Sequence, residues 1–126
     1  MKILVVDDSS TMRRILVNCL AKMNMSNVVQ AGDGVEALKV LAEQGPFDLC
    51  LTDWNMPNMN GLDLLKQIKA DAKYQAMPVV MVTTEAEKER IVEAVRCGAV
   101  NYIVKPFTPE ILQEKLKAFI NTGAAA

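Results

Sequence analysis

The 126-residue sequence contains no histidine, which removes the commonest general base and the imidazole ligands of many metal sites. Cysteine is sparse. Cys19, Cys50 and Cys97 stand far apart in apolar stretches, with no Cys-x-x-Cys, and read as buried, reduced thiols. Excess basic charge is also missing. A net charge of −1 and a pI near 5.4 give nucleic-acid binding no electrostatic support. No apolar run approaches membrane-spanning length, and the opening MKILVV is too short and too quickly followed by acids to be a signal peptide. These absences lead to the expectation of a cytoplasmic protein that engages neither membrane nor nucleic acid.

What is present is the balance of a globular domain: 51% hydrophobic and 23% charged residues, in a chain long enough to bury a core. Five short apolar runs, Lys2–Val6, Asn27–Ala31, Phe47–Thr52, Pro78–Val82 and Val100–Val104, alternate with helical patterns. Several of the runs are nearly continuous, as in strands covered on both faces of a parallel sheet. The first helix carries Met12, Ile15, Leu16, Cys19, Leu20 and Met23 at helical spacing, with Ser9 or Ser10 as cap. A second runs near Val35–Gln44 and stops at Gly45-Pro46. A third covers about Gly61–Ala72, with Leu62, Leu65 and Ile68 inward, and a fourth about Ala86–Cys97, with Ile91, Val92 and Val95 inward. The last opens with Thr108 as N-cap and Pro109 at the first helical position, and its stripe includes Leu112, Leu116, Phe119 and Ile120. A β-α unit repeated five times predicts an α/β fold, a doubly wound five-stranded parallel sheet. The domain is expected over residues 1–121, with 122–126 a frayed tail.

Open α/β sheets bind ligands beyond the carboxyl ends of their strands. The residues there are Asp7 and Asp8 after strand one, Asp53 and then Trp54-Asn55-Met56-Pro57 after strand three, Thr83 and Thr84 after strand four, and Lys105 and Pro106 after strand five. Three carboxylates in one pocket repel: two unit charges ~4 Å apart at an effective dielectric of ~20 cost about 4 kcal/mol. One lysine does not offset that, whereas a divalent cation does, and an all-oxygen set suits Mg²⁺ or Mn²⁺. Lys105 and the Thr83 hydroxyl supply a charge and a donor for phosphoryl oxygens, so the constellation reads as phosphoryl transfer to a carboxylate. Each residue alone has a plainer reading. An Asp after a strand caps a helix, a Thr does the same, Lys-Pro makes a turn, and Tyr102 is a half-buried strand residue. Glu87, Lys88, Glu89 and Arg90 likewise read first as a solvated helix face.

The stretches VVDDSSTMRR, TDWNMPNMNGLDLL, MVTTEAEK and NYIVKPFTPEILQEKL closely resemble response-regulator receiver domains, especially those of chemotaxis, from Lys2 to Ile120. The resemblance implies a flavodoxin-like fold with strand order 2-1-3-4-5. It implies that Asp53 is the phosphoacceptor, that Asp8 ligates Mg²⁺ directly, that Asp7 acts largely through metal-bound water, and that the Asn55 carbonyl completes the metal shell. Thr83 and Lys105 would each bond a phosphoryl oxygen, across a cis Lys105–Pro106 peptide. Tyr102 would swing inward as Thr83 is drawn to the phosphoryl group, altering the face of helix four, strand five and helix five. Asn55 and Glu85 would flank attacking water, giving a brief signal, while Thr84 narrows that approach. The implied partners are a chemotaxis histidine kinase and the flagellar motor switch protein, met by a monomer.

Three other readings compete with this one. A haloacid-dehalogenase-like phosphatase needs a second acid two residues after the nucleophilic Asp, where this chain has Asn55. A flavodoxin-type cofactor binder finds only Gly32-Asp33-Gly34, better read as a turn and helix start, and no GxxxxGK. A phosphorelay intermediate keeps the receiver chemistry but passes the phosphoryl group onward.

Overall fold

A computed structural model describes residues 2–45, 47–84, 88–105 and 107–125. The elements in chain order are β1 (Ile3–Val6), α1 (Ser10–Lys22), β2 (Val28–Ala31), α2 (Gly34–Gln44), β3 (Leu49–Asp53), α3 (Gly61–Ala70), β4 (Val79–Thr83), α4 (Lys88–Arg96), β5 (Asn101–Val104) and α5 (Pro109–Ala125). All five strands pair in parallel in the order β2-β1-β3-β4-β5, the doubly wound arrangement expected from the sequence. No helix among the described residues is long and apolar enough to cross a membrane.

The sheet separates two cores, because successive side chains of a strand point to opposite faces. Leu4, Val6, Cys50, Val79 and Met81 face a layer built from α2, α3 and α4, including Ala37, Leu41, Leu65, Ile68 and Ala94. Ile3, Val5, Leu49, Leu51, Val80, Val82 and Ile103 face α1 and α5 through Leu16, Leu20, Leu112 and Leu116. β1, β3 and β4 are buried at every residue, which is why their sequences read as continuous apolar runs.

Side-chain caps fix where the helices begin. Ser9, Asp33 and Asn60 each accept the backbone N–H three residues on, from Met12, Glu36 and Asp63 respectively, and Thr108 does the same for Ile111. Asp33 is thus a helix start, as read from Gly32-Asp33-Gly34. Gly45, at φ 79°, closes α2 with its N–H on the Leu41 carbonyl at 2.8 Å.

Three expectations about burial are corrected. Val92 and Val95 are 48% and 54% exposed, and Ile15 is 42% exposed. α4 meets the sheet through Ala94, next in sequence to Val95 and so about 100° around the helix from it. A methyl group at that contact lets the helix axis lie close and turns the valines out. Ile15 is likewise turned away from the Leu16–Cys19–Leu20 edge that α1 buries. Cys97 is half-buried, unlike Cys19 and Cys50, because it follows the last turn of α4. The side chains of Phe119 and Ile120 lie outside the described residues.

Candidate functional site

Strand register explains which side chains meet. Asp7 continues the alternation of Ile3 and Val5, Asp53 that of Leu49 and Leu51, and Lys105 that of Ile103, all on the α1/α5 side. Val6 pairs with Thr52, so one further step sets Asp7 beside Asp53. Lys105, 98 residues from Asp7, reaches across from β5 and donates to Asp7 Oδ2 at 2.8 Å, and its Nζ lies 3.5 Å from Asp53 Oδ1.

Asp7 and Asp53 are 1% and 8% exposed. Their remaining contacts are backbone amides: Ser9 N–H donates to Asp7 Oδ1 at 2.9 Å and Trp54 N–H to Asp53 Oδ1 at 2.8 Å. The Asp7 carbonyl accepts from Arg13 Nη1, tying the first turn of α1 to the end of β1. Asp8 is exposed, at the mouth. One carboxylate oxygen from each of Asp7, Asp8 and Asp53 lies within 4.8 Å of the other two.

Burial lifts the Asp53 carboxyl above the usual carboxylate range. Lys105 opposes that lift, and the Asp7 carboxylate adds to it. Three carboxylates against one ammonium leave the cluster short of positive charge. A hard divalent cation supplies it, and this oxygen-only donor set fits one.

The loop after β3 is anchored at both ends. Asn60 caps α3, and Gly61 N–H donates to the Trp54 carbonyl at 2.8 Å. A Cβ at Gly61 would stand 2.0 Å from the Asp53 carbonyl oxygen, so only glycine lets α3 start this close to the β3 end. Farther along, Asn58 Nδ2 donates to Asp33 Oδ2 at 2.7 Å, and Gly34 N–H donates to the Met59 carbonyl at 3.3 Å, fastening the loop to the start of α2. Asn58 takes a left-handed φ of 66°, which asparagine tolerates better than most residues. Asn55 is exposed on this loop, two residues beyond Asp53.

Thr83 ends β4 on the other side of the sheet, in the alternation of Val79 and Met81. It is 2% exposed, and its carbonyl accepts Lys105 N–H at 2.8 Å. It lines a small cavity of ≈ 10 Å³ with Trp54, Met81, Arg90, Ile91, Ala94 and Tyr102. Tyr102, paired in register with Met81, is half-buried, with Lys115 Nζ 4.6 Å from its ring centre. Thr84 is exposed. Glu85, Pro106 and the Lys105–Pro106 peptide lie outside the described residues.

Sequence reasoning named three residues without the contacts that matter here. Trp54, 7% exposed, links Asp53 to α3 through its backbone. Arg90 stacks its guanidinium 5.2 Å from the Trp54 ring centre instead of lying on a solvated face. Gly61 was read only as a helix start. A buried Trp directly after a strand-end acid was a legible signal, whereas the Arg90 contact required knowing the rotation of α4.

The profile of the response regulator receiver domain matches residues 3–117. The chain is 51% identical to the chemotaxis protein CheY homolog of Campylobacter jejuni, over 98% of this chain and 95% of that protein. It is 48% identical to chemotaxis protein CheY1 of Helicobacter pylori, over 98% and 99%. The solved structure of Vibrio cholerae chemotaxis protein CheY4 superposes with a TM-score of 0.86 at 36% identity, covering 94% of this chain and 97% of that one.

Proposed function

Because the chain belongs to the response regulator receiver domain family, we propose that it accepts a phosphoryl group on Asp53 and works as the phosphorylation-driven switch of a chemotaxis pathway. It is a phosphoacceptor signalling protein, and its chemistry serves its own state instead of turning over a substrate. The observation that carries this reading is the meeting of Asp7, Asp8, Asp53 and Lys105 at one rim of the sheet.

Asp53 is the nucleophile. One carboxylate oxygen attacks the donor phosphorus in line, a P–O bond forms, and the bond from phosphorus to the donor's histidine nitrogen breaks. The Trp54 amide and Lys105 both address Oδ1, so they fix the carboxylate plane during attack. The phosphoryl group brings about −1.5 to −2 charges, and Lys105 pairs with one of its oxygens. The Thr83 hydroxyl bonds another. Asp7, Asp8, Asp53 and the Asn55 carbonyl would hold Mg²⁺, with Mn²⁺ as a substitute. When bound, the ion neutralises charge on the phosphoryl oxygens.

Output follows from Thr83. Drawn toward the phosphoryl group, it vacates room that Tyr102 enters, and the α4-β5-α5 face changes. Asn55 and Glu85 flank the water that ends the signal, and Thr84 narrows its path; loss of phosphate within minutes from the isolated protein is the expected behaviour. The close similarity to chemotaxis proteins supports a chemotaxis histidine kinase as donor and the flagellar motor switch protein as target. A monomer in the cytoplasm suits that role.

Incubation with acetyl phosphate and Mg²⁺, followed by intact-mass measurement, tests the chemistry. One added phosphoryl group on wild type and none on Asp53→Asn is expected, and equal labelling of both would refute it. Capture on the motor switch N-terminal peptide, strengthened by acetyl phosphate, tests the target.

A further inference from the structure

Arg90 is a half-buried cation whose Nη1 has no solvent contact and no hydrogen-bond partner among the described residues. A buried donor of a charged group seldom goes unpaired. The guanidinium face is taken up by the Trp54 ring, 5.2 Å away, so its N–H edge is what remains available. Arg90, Thr83 and Tyr102 line the same small cavity. A tyrosine hydroxyl is the one side-chain acceptor on that lining, besides Thr83, that can supply an oxygen.

The cavity, at ≈ 10 Å³, holds about one water and is far too small for a phenol ring. It enlarges only if a wall moves. Thr83 is part of that lining, at the end of β4 beside the strand end that bears Asp53. Lys115 Nζ, on α5, sits 4.6 Å from the centre of the half-buried Tyr102 ring. The ring thus has a cation of α5 beside it and shares a cavity with an unpaired donor of α4.

We propose that Arg90 is a positioning residue of the switch: its buried Nη1 is the donor that holds the Tyr102 hydroxyl once Thr83 shifts and the ring tips into the cavity. This rests on the reading of Asp53 as the phosphorylated residue. It adds that the inward state is selected by a hydrogen bond from α4, over and above the space that opens. In the resting state the donor's missing partner disfavours the α4 arrangement, and the inward ring relieves that cost. Arg90 also touches Trp54, whose amide holds Asp53, so one side chain senses the acid and the tyrosine together.

The test uses the full chain with beryllofluoride and Mg²⁺ as the phosphoryl stand-in, and two readouts. The first is ¹⁹F NMR of protein labelled with 3-fluorotyrosine. There are two tyrosines, and Tyr74, buried with its hydroxyl on the Leu41 carbonyl at 3.1 Å, serves as the internal fold reference. Wild type should move its Tyr102 resonance on beryllofluoride addition. In Arg90→Met the inward-to-outward ratio should fall roughly tenfold, the size expected for losing a hydrogen bond to a charged donor, with the Tyr74 resonance unmoved. Arg90→Lys, which retains a donor, should recover part of the ratio. The second readout is beryllofluoride affinity, titrated by the fluorescence of Trp54, the only tryptophan. Arg90→Met and Tyr102→Phe should each weaken it, and the double variant no more than either alone. An unchanged ratio in Arg90→Met, or additive losses in the double variant, overturns the proposal while leaving the Asp53 reading intact. A wild type that shows no saturable response to beryllofluoride overturns both.

Discussion

Lys105 and Asp7 lie at opposite ends of the chain and meet at 2.8 Å, with side chains 9% and 1% exposed. The pair closes the sheet edge across β1, β3 and β5 before any phosphoryl group arrives. Lys105→Met leaves Asp7 charged and buried beside Asp53. Breaking one side of a buried pair costs about 3–5 kcal/mol. Urea unfolding of the metal-free variant should show a loss of that order. Mg²⁺ should restore part of it, since the ion replaces the missing positive charge. A variant as stable as wild type without Mg²⁺ would show that Asp7 is not held by this pair.

Asp53→Asn acts in the opposite direction. A carboxyl raised by burial is ionised at a cost to the fold, so the stability it contributes is present at low pH and is lost as pH rises through the folded-state value. At neutral pH the neutral amide therefore stabilises the metal-free protein, on the order of 1 kcal/mol or ~4 °C in Tm. Calorimetry at pH 7 with EDTA checks this. A fall in Tm would mean that Lys105 outweighs burial and the Asp7 charge.

Gly61→Ala puts a methyl where the Asp53 carbonyl oxygen lies 2.0 Å away. The α3 start or the β3 end must then shift, for about 1–3 kcal/mol. Because the moved atom belongs to Asp53 itself, phosphorylation by acetyl phosphate should slow at least tenfold in protein that is still folded. Stability loss with an unchanged labelling rate would confine the glycine to packing.

Asp33 sets an acid limit. The Glu36 amide and the Asn58 side chain hold its carboxyl below the ordinary value of 3.8. A lowered carboxyl stabilises above its unfolded value and loses that contribution as pH falls through the folded one. Asp33→Asn keeps a capping oxygen but removes the titration. Its stability should therefore fall less steeply than that of wild type below about pH 4. Parallel urea midpoints from pH 5 to pH 3 would reveal an identical slope if the cap does not titrate.

The fold was legible because it rests on features that a linear pattern carries. The fully buried runs ILVV, LCL and VVMV announce a sheet covered on both faces. Ser9, Asp33 and Gly45 mark helix ends by chemistry that acts within four residues. The acidic cluster was legible because parallel topology forces strand ends to one rim. Helix rotation was not. Ile91, Val92 and Val95 look like one stripe in sequence, and only the small side chain of Ala94 against the sheet decides which edge of α4 goes in. The Arg90–Trp54 contact was hidden for the same reason. Gly61 was hidden because a forbidden Cβ leaves no mark in composition.

The alternation along β3, β4 and β5 has a mechanical meaning. Asp53 and Lys105 belong to one side of the sheet, while Thr83 and Tyr102 belong to the other. If Asp53 is the acceptor and Thr83 and Tyr102 report its state, a charge written on the first side is read on the second, through a slab one strand thick. The message has no long path to travel. On that reading, a softer β4 would blur the signal before it weakened the chemistry.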